Sequence, residues 1–80
     1  MNLEILTPDK KVFSGEANSV TVPGTQGSFT VLNNHAPLIS TLEPGEVKVK
    51  SAQGMETFHI EGGVIEVLKN KVVLLAESLS

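Results

Sequence analysis

The side chains of this sequence that could do chemistry are few, and their spacing does not pair them. Its two histidines, His35 and His59, could serve as a general acid and base or bind a metal ion. A metal site needs three or four converging ligands, and no such spacing surrounds either histidine. His59 falls on the outward face of a predicted strand, which indicates a solvated surface residue. His35 lies in a loop, where its ring either hydrogen-bonds nearby backbone or contacts a partner directly.

Other catalytic patterns are missing as well. Ser14, Ser28, Ser40 and Ser51 stand in no nucleophile motif, and the carboxylates are spread singly along the chain. The Gly-Thr-Gln-Gly string at 24–27 is not a phosphate-binding loop, because no Gly-Lys-Ser or Gly-Lys-Thr follows it. The sequence therefore predicts no catalytic residue, no cofactor, no metal and no small-molecule substrate.

Lys48 supports one alternative function. Small all-β carrier domains attach lipoyl or biotinyl groups to a lysine at a tight hairpin tip. Lys48 instead falls inside an alternating strand pattern, and no methionine flanks it. An outward-facing lysine on a strand is the simpler interpretation, and the carrier domain stays open as a second hypothesis.

Length and composition exclude further classes of function. The chain has 80 residues, which indicates one domain over residues 1–80. A net charge of −3 and 4% aromatic residues argue against nucleic acid as a partner. There is no cysteine, no apolar run near the ~20 residues of a membrane span, and no signal-peptide pattern. We therefore expect membrane contact only through partner proteins.

Hydrophobic periodicity predicts the fold class. Val47 and Val49 alternate with charged residues, and Phe58 and Ile60 share one face of the next strand. Gly54 is expected to supply the positive φ of the hairpin between these strands. Prolines and glycines cut the chain every several residues, and no apolar stripe has helical spacing. The sequence predicts an all-β fold, a small two-sheet β-sandwich of roughly eight to ten short, mostly antiparallel strands.

Three stretches depart from plain alternation. Gly62-Gly63 interrupts a strand pattern, which indicates a bulge, a sharp bend or the close approach of another backbone. The run from Val72 to Leu75 fits either a strand covered on both faces or a piece of helix, and its β-branched residues and short length favour the strand. In residues 22–42, Pro23-Gly24 marks a turn with glycine at positive φ, and Asn33-Asn34 marks a second turn. We predict that residues 22–42 form the face shown to partners.

An ordered set of motifs carries a family resemblance. The strings, in chain order, are Phe13-Ser14-Gly15, Val22-Pro23-Gly24, Gly27-Ser28-Phe29, Leu32 to Leu38, Leu42 with Pro44-Gly45-Glu46-Val47, Gly62 to Val67, and Val73 to Glu77. Together they resemble the epsilon subunit of bacterial F-type ATP synthase, whose mitochondrial counterpart is called delta. The resemblance covers essentially the whole chain in register, and it implies a ten-stranded β-sandwich.

The same resemblance implies a rotor subunit without catalysis of its own. Such a subunit sits at the foot of the central stalk, binds the gamma subunit and rests on the polar loops of the membrane-embedded c-ring. It helps to couple proton flow to ATP synthesis at the cytoplasmic face of the bacterial plasma membrane. From the resemblance we expect Gln26, Ser28, Asn33 and His35 to face the c-ring. The gamma contact is expected on one face of the sandwich, which the sequence does not identify.

Two departures from the family pattern limit what the resemblance implies. Many members continue into a C-terminal pair of helices that can inhibit ATP hydrolysis and in some members binds ATP. This sequence ends at Ser80, where that hairpin would begin, so we expect a short form or a truncated chain. Many relatives also have an acidic residue at the position of Ser28.

Overall fold

The computed structural model describes all 80 residues, Met1–Ser80, and consists of nine β-strands without a helix. None of its elements is therefore a helix with the length and apolar character that crossing a membrane requires. The strands are β1 (Asn2–Leu6), β2 (Lys11–Glu16), β3 (Ser19–Val22), β4 (Phe29–Leu32), β5 (Leu38–Leu42), β6 (Gly45–Ser51), β7 (Gly54–Ile60), β8 (Gly63–Leu68) and β9 (Lys71–Ala76). The predicted all-β class is confirmed, with one strand fewer than the resemblance implies.

The strands form two sheets. A five-stranded sheet has the order β2-β1-β9-β8-β5, and a four-stranded sheet has the order β4-β3-β6-β7. All strand pairs are antiparallel except β1 with β9, which is parallel. The inner faces of both sheets contribute to one hydrophobic core, so the predicted two-sheet sandwich is confirmed.

The core is built by side chains that alternate along each strand. Val47 and Val49 on β6 are 0% and 1% exposed, whereas Glu46, Lys48 and Lys50 beside them point to solvent. The same alternation on other strands adds most of the remaining buried apolar side chains, and Met1 and Ala17 join them from outside the strands. The core comprises Met1, Leu3, Ile5, Ala17, Val20, Val22, Val31, Leu42, Val47, Val49, Ile60, Ile65, Val67, Val72, Leu74 and Ala76.

An aromatic pair closes one side of the sandwich. Phe13 lies on β2 and Phe58 on β7, which are edge strands of different sheets. Their ring centroids are 6.2 Å apart with an interplanar angle of 72°, which is the edge-to-face arrangement that aromatic rings prefer. The pair therefore shields the core where neither sheet has a further strand.

The turn glycines follow the predictions except at one position. Gly54 has φ of 116°, as expected in the hairpin between β6 and β7. At Gly63 a Cβ atom would lie 2.2 Å from the carbonyl oxygen of Leu75, so the glycine permits close approach of the β9 backbone. The positive φ predicted for Gly24 is wrong. Gly24 is required for space instead, since a Cβ there would lie 2.7 Å from the Gly27 carbonyl oxygen.

The run from Val72 to Leu75 forms β9, as predicted, but it is not covered on both faces. Val72 and Leu74 are buried in the core, whereas Leu75 is 52% exposed on the opposite side. The prediction of two-sided coverage is wrong because the five-stranded sheet packs against another sheet on its inner side only. The outer side of β9 is left with apolar side chains in solvent.

Candidate functional site

Gln26 and Ser28 project from the loop between β3 and β4. Both residues are exposed, and neither side chain hydrogen-bonds to the rest of the chain. The loop itself is held in place: the Thr25 backbone N–H donates to the Thr41 carbonyl at 3.1 Å, and the two threonine hydroxyls are 2.8 Å apart. Gln26 and Ser28 are therefore polar groups on an anchored loop, available to a partner.

Asn33 and His35 lie in the loop between β4 and β5, and the side chain of Asn33 is already engaged. The α-ammonium group of Met1 donates to its side-chain oxygen. The same ammonium group donates to the carbonyl of Ala17 at 2.9 Å. The next residue, Asn34, takes a left-handed φ of 62° and donates its backbone N–H to the side-chain oxygen of Asn70 at 2.7 Å. This loop is consequently tied to the N-terminus and to the β8–β9 turn.

The ring of His35 has a local partner. Its Nδ1 donates to the carbonyl oxygen of Ala36 at 2.7 Å, and the residue is half-buried. This is the first of the two interpretations that the sequence left open, a ring bonded to nearby backbone. His59 is a surface residue, as predicted, with its side chain 56% exposed.

The four residues that the resemblance assigns to the c-ring fall into two separate groups. Gln26 and Ser28 precede β4, whereas Asn33 and His35 follow it. A strand of four residues is about 13 Å long, so the two loops lie at opposite ends of β4. The structure thus pairs Gln26 with Ser28 and Asn33 with His35, and it does not bring all four together.

The outer face of the five-stranded sheet carries a second candidate surface, which the sequence interpretation missed. We call it the apolar face; its aliphatic side chains are Leu6, Ile39, Val64, Leu68, Val73 and Leu75. Ile39 is 72% exposed, and Leu68 and Leu75 are each 52% exposed. Strand register aligns Leu6 with Leu75 and Leu75 with Val64, so these side chains form a continuous row. The signal was present in the sequence, because residues 72–75 are apolar at both alternating positions.

The outer face of the four-stranded sheet is mostly polar by contrast, and its two exposed apolar side chains, Leu32 and Met55, lie on the outermost strands β4 and β7. Thr21 and Thr30 face each other across β3 and β4 with their hydroxyls 2.8 Å apart. On the neighbouring strands, the Glu46 carboxylate lies 3.1 Å from His59 Nε2 and 4.0 Å from Lys48 Nζ. Lys48 sits within β6, away from any hairpin tip, which removes the geometric basis for the carrier hypothesis. The two outer faces therefore have opposite chemical character.

The structure contains no group of three or more His, Cys, Asp or Glu side chains that could hold a metal ion. His35 lies in a loop beside β5, and His59 lies on β7 of the other sheet. The features that stand out chemically are thus two surfaces, the Gln26–Ser28 loop and the apolar face, and both are suited to binding other proteins.

Comparison with known proteins gives these surfaces a context. Residues 1–80 match the family model described as the ATP synthase, Delta/Epsilon chain, beta-sandwich domain. The ATP synthase epsilon chain of Chlorobaculum tepidum is 49% identical over 79 residues, which cover 98% of this chain and 90% of that relative. The epsilon chain of Leptospira borgpetersenii is 38% identical over 77 residues, and the match covers 96% of this chain and 61% of that relative.

Solved structures show the same fold at low sequence identity. A chain of the Tetrahymena thermophila mitochondrial ATP synthase central stalk and c-ring superposes with a TM-score of 0.86 at 19% identity, covering 99% of this chain and 64% of that one. A chain of the Euglena gracilis mitochondrial ATP synthase superposes with a TM-score of 0.89 at 22% identity, covering 98% of this chain and 51% of that one.

Proposed function

The chain belongs to the delta/epsilon family of ATP synthase subunits, and from this premise we propose that it is a rotor subunit that binds the gamma subunit and the c-ring. The match of residues 1–80 to the family model carries the proposal. The resemblance predicted from the sequence is thereby confirmed. The subunit is a non-catalytic part of the central stalk, and its role is to couple proton flow to ATP synthesis.

The apolar face is the surface that we assign to gamma. Covering Ile39, Leu68 and Leu75 would remove exposed aliphatic area from water, at about 25 cal/mol per Å². The outer face of the other sheet has threonine, lysine and glutamate side chains in its middle, whose desolvation would oppose binding, and its exposed Leu32 and Met55 are far apart on the outermost strands. A stable interface needs an apolar centre with a polar rim, and only the five-stranded sheet presents such a centre.

The Gln26–Ser28 loop is the surface that we assign to the c-ring. Its side chains have no partner within the chain, and hydrogen bonds to Thr41 hold its backbone. Asn33 and His35 fit this role less well, because Met1 already occupies the Asn33 side-chain oxygen and Ala36 already occupies the His35 Nδ1. We therefore retain Gln26 and Ser28 as ring-facing residues and assign Asn33 and His35 to holding the opposite loop.

Transmitting torque requires a stiff module, and the sandwich has the features of one. Fifty backbone–backbone hydrogen bonds connect its strands and turns, and its buried core is continuous between the sheets. Close-packed interiors resist deformation, so force applied at one surface reaches the other with little loss. Bound to gamma and the ring, the chain would lie at the cytoplasmic face of the bacterial plasma membrane as a peripheral subunit.

Copurification with separately expressed gamma subunit tests the proposal. A stoichiometric complex at micromolar concentration is the expected result, and a gamma–chain complex added to isolated c-ring should bind it. Absence of any complex with gamma at that concentration would refute the proposed function.

A further inference from the structure

Glu66 is a charged residue inside the apolar face. It lies on β8, and strand register places it directly opposite Ile39 on β5 and Val73 on β9. Residues in register on one face of a sheet have Cβ atoms about 5 Å apart, so aliphatic side chains flank the carboxylate on both sides. Glu66 forms no ion pair in the chain, whereas Glu4 on the same face is bridged to Lys11 at 3.3 Å.

The carboxylate also borders a shallow hollow at the edge of the sheet. The hollow has a volume of about 340 Å³ and is lined by Pro37, Leu38, Ile39, Glu66, Val67 and Leu68. Four of these side chains are aliphatic, and Glu66 is the one charged group among them. Such a hollow fits a long side chain with an apolar stem and a cationic head, since the stem can lie on the aliphatic wall while the head reaches the carboxylate.

Docking a partner on the apolar face would remove water from Glu66. An ionised carboxylate that loses its water without gaining a partner opposes binding strongly. An arginine on the partner, facing Glu66, would replace the lost water, because its guanidinium donates two parallel hydrogen bonds to one carboxylate. We propose that Glu66 determines the specificity of this face by accepting hydrogen bonds from an arginine of the gamma subunit. This inference rests on the proposed function, which supplies gamma as the occupant.

Binding of the intact chain to purified gamma subunit, measured by calorimetry, tests the assignment. Glu66→Gln keeps the shape and removes the charge, and it should weaken the affinity for gamma at least tenfold. Glu66→Lys should weaken it by more, at least a hundredfold. Glu56→Gln is the matched control, because Glu56 is an exposed carboxylate on the four-stranded sheet that also forms no ion pair; it should change the affinity less than twofold.

Three other results would show whether the inference about Glu66 fails alone or together with the proposed function. If Ile39→Asp weakens gamma binding and Glu66→Gln does not, the apolar face does bind gamma, but the role proposed for Glu66 is refuted. If Lys71→Gln weakens binding as much as Glu66→Gln, the partner of Glu66 comes from the chain itself, and the gamma arginine is refuted. Self-association that Ile39→Asp abolishes, without gamma binding, would assign the face to a second copy and overturn both proposals.

Discussion

The α-ammonium group of Met1 donates a hydrogen bond to the side-chain oxygen of Asn33, a residue 32 positions further along the chain. Met1 is 3% exposed, and the ammonium group also contacts the Ala17 carbonyl at 2.9 Å and a Glu16 carboxylate oxygen at 3.5 Å. Burying a positive charge destabilises the fold unless hydrogen-bond acceptors surround it. The loop of Asn33 is therefore a structural tie between the start of the chain and the β4–β5 connection.

Asn33→Ala should destabilise the domain by about 1–3 kcal/mol, because it leaves a buried cationic donor short of one acceptor. Urea unfolding followed by circular dichroism measures the change. Asn18→Ala is the control, since Asn18 is exposed and its side chain forms no hydrogen bond in the chain. If Asn33→Ala lowers the free energy of unfolding no more than the control does, the hydrogen bond between Met1 and Asn33 does not stabilise the domain.

Gly63→Ala should destabilise the domain by about 3 kcal/mol, the upper end of the cost of overpacking. The added methyl group would lie 2.2 Å from the Leu75 carbonyl oxygen, and sheet pairing between β8 and β9 prevents that backbone from moving away. Gly54→Ala separates crowding from backbone strain, because Gly54 has a positive φ but open space around it. Equal losses for both variants in thermal unfolding would show that crowding at Gly63 is not the cause.

Ile39→Asp should weaken binding to the gamma subunit at least tenfold while leaving the melting temperature within a few degrees of the parent. Ile39 is 72% exposed, so the isolated fold does not depend on it, but a docked partner would have to cover the new charge. Leu32→Asp provides the comparison, since Leu32 is 58% exposed on the outer face of the four-stranded sheet. If Leu32→Asp weakens gamma binding and Ile39→Asp does not, gamma binds the outer face of the four-stranded sheet and not the apolar face.

Ser28→Arg should reduce capture of the chain–gamma complex by isolated c-ring, since it adds bulk and charge at the tip of the loop assigned to the ring. His35→Ala should leave ring capture unchanged, because that residue lies at the opposite end of β4. Density-gradient sedimentation with and without c-ring measures both. Loss of ring capture in His35→Ala, with Ser28→Arg unaffected, would place the ring contact at the other end of the sandwich.

Local patterns in the sequence predict most of the fold. Alternation of valines with charged residues in residues 46–50 is a property of neighbouring residues, and it correctly gives both the strand and its buried face. Gly54 and Asn34 are likewise recognisable as turn residues, and both have positive φ. Each of these features depends on a few adjacent residues, which is why it can be read without the structure.

The arrangement of the candidate site depends on distant residues and could not be predicted in this way. Motif order groups Ser28 with His35, yet the length of the intervening strand separates them. The side-chain oxygen of Asn33 accepts a hydrogen bond from the α-ammonium group of Met1, a contact that sequence spacing does not reveal. The exposure of Leu75 is not predictable either, because an apolar residue on a strand is equally suited to a core and to an unoccupied interface.

The parallel pairing of β1 with β9 has a consequence for the order of events during synthesis. Asn2–Leu6 is the first strand in the sequence, and it pairs with Lys71–Ala76, the ninth strand in the sequence and the central strand of the sheet. Closing a contact between residues so far apart in the sequence is slow, and it cannot begin before β9 has been synthesised. A chain that lacks β9 would therefore lack the central strand of the five-stranded sheet, and with it the middle of the apolar face.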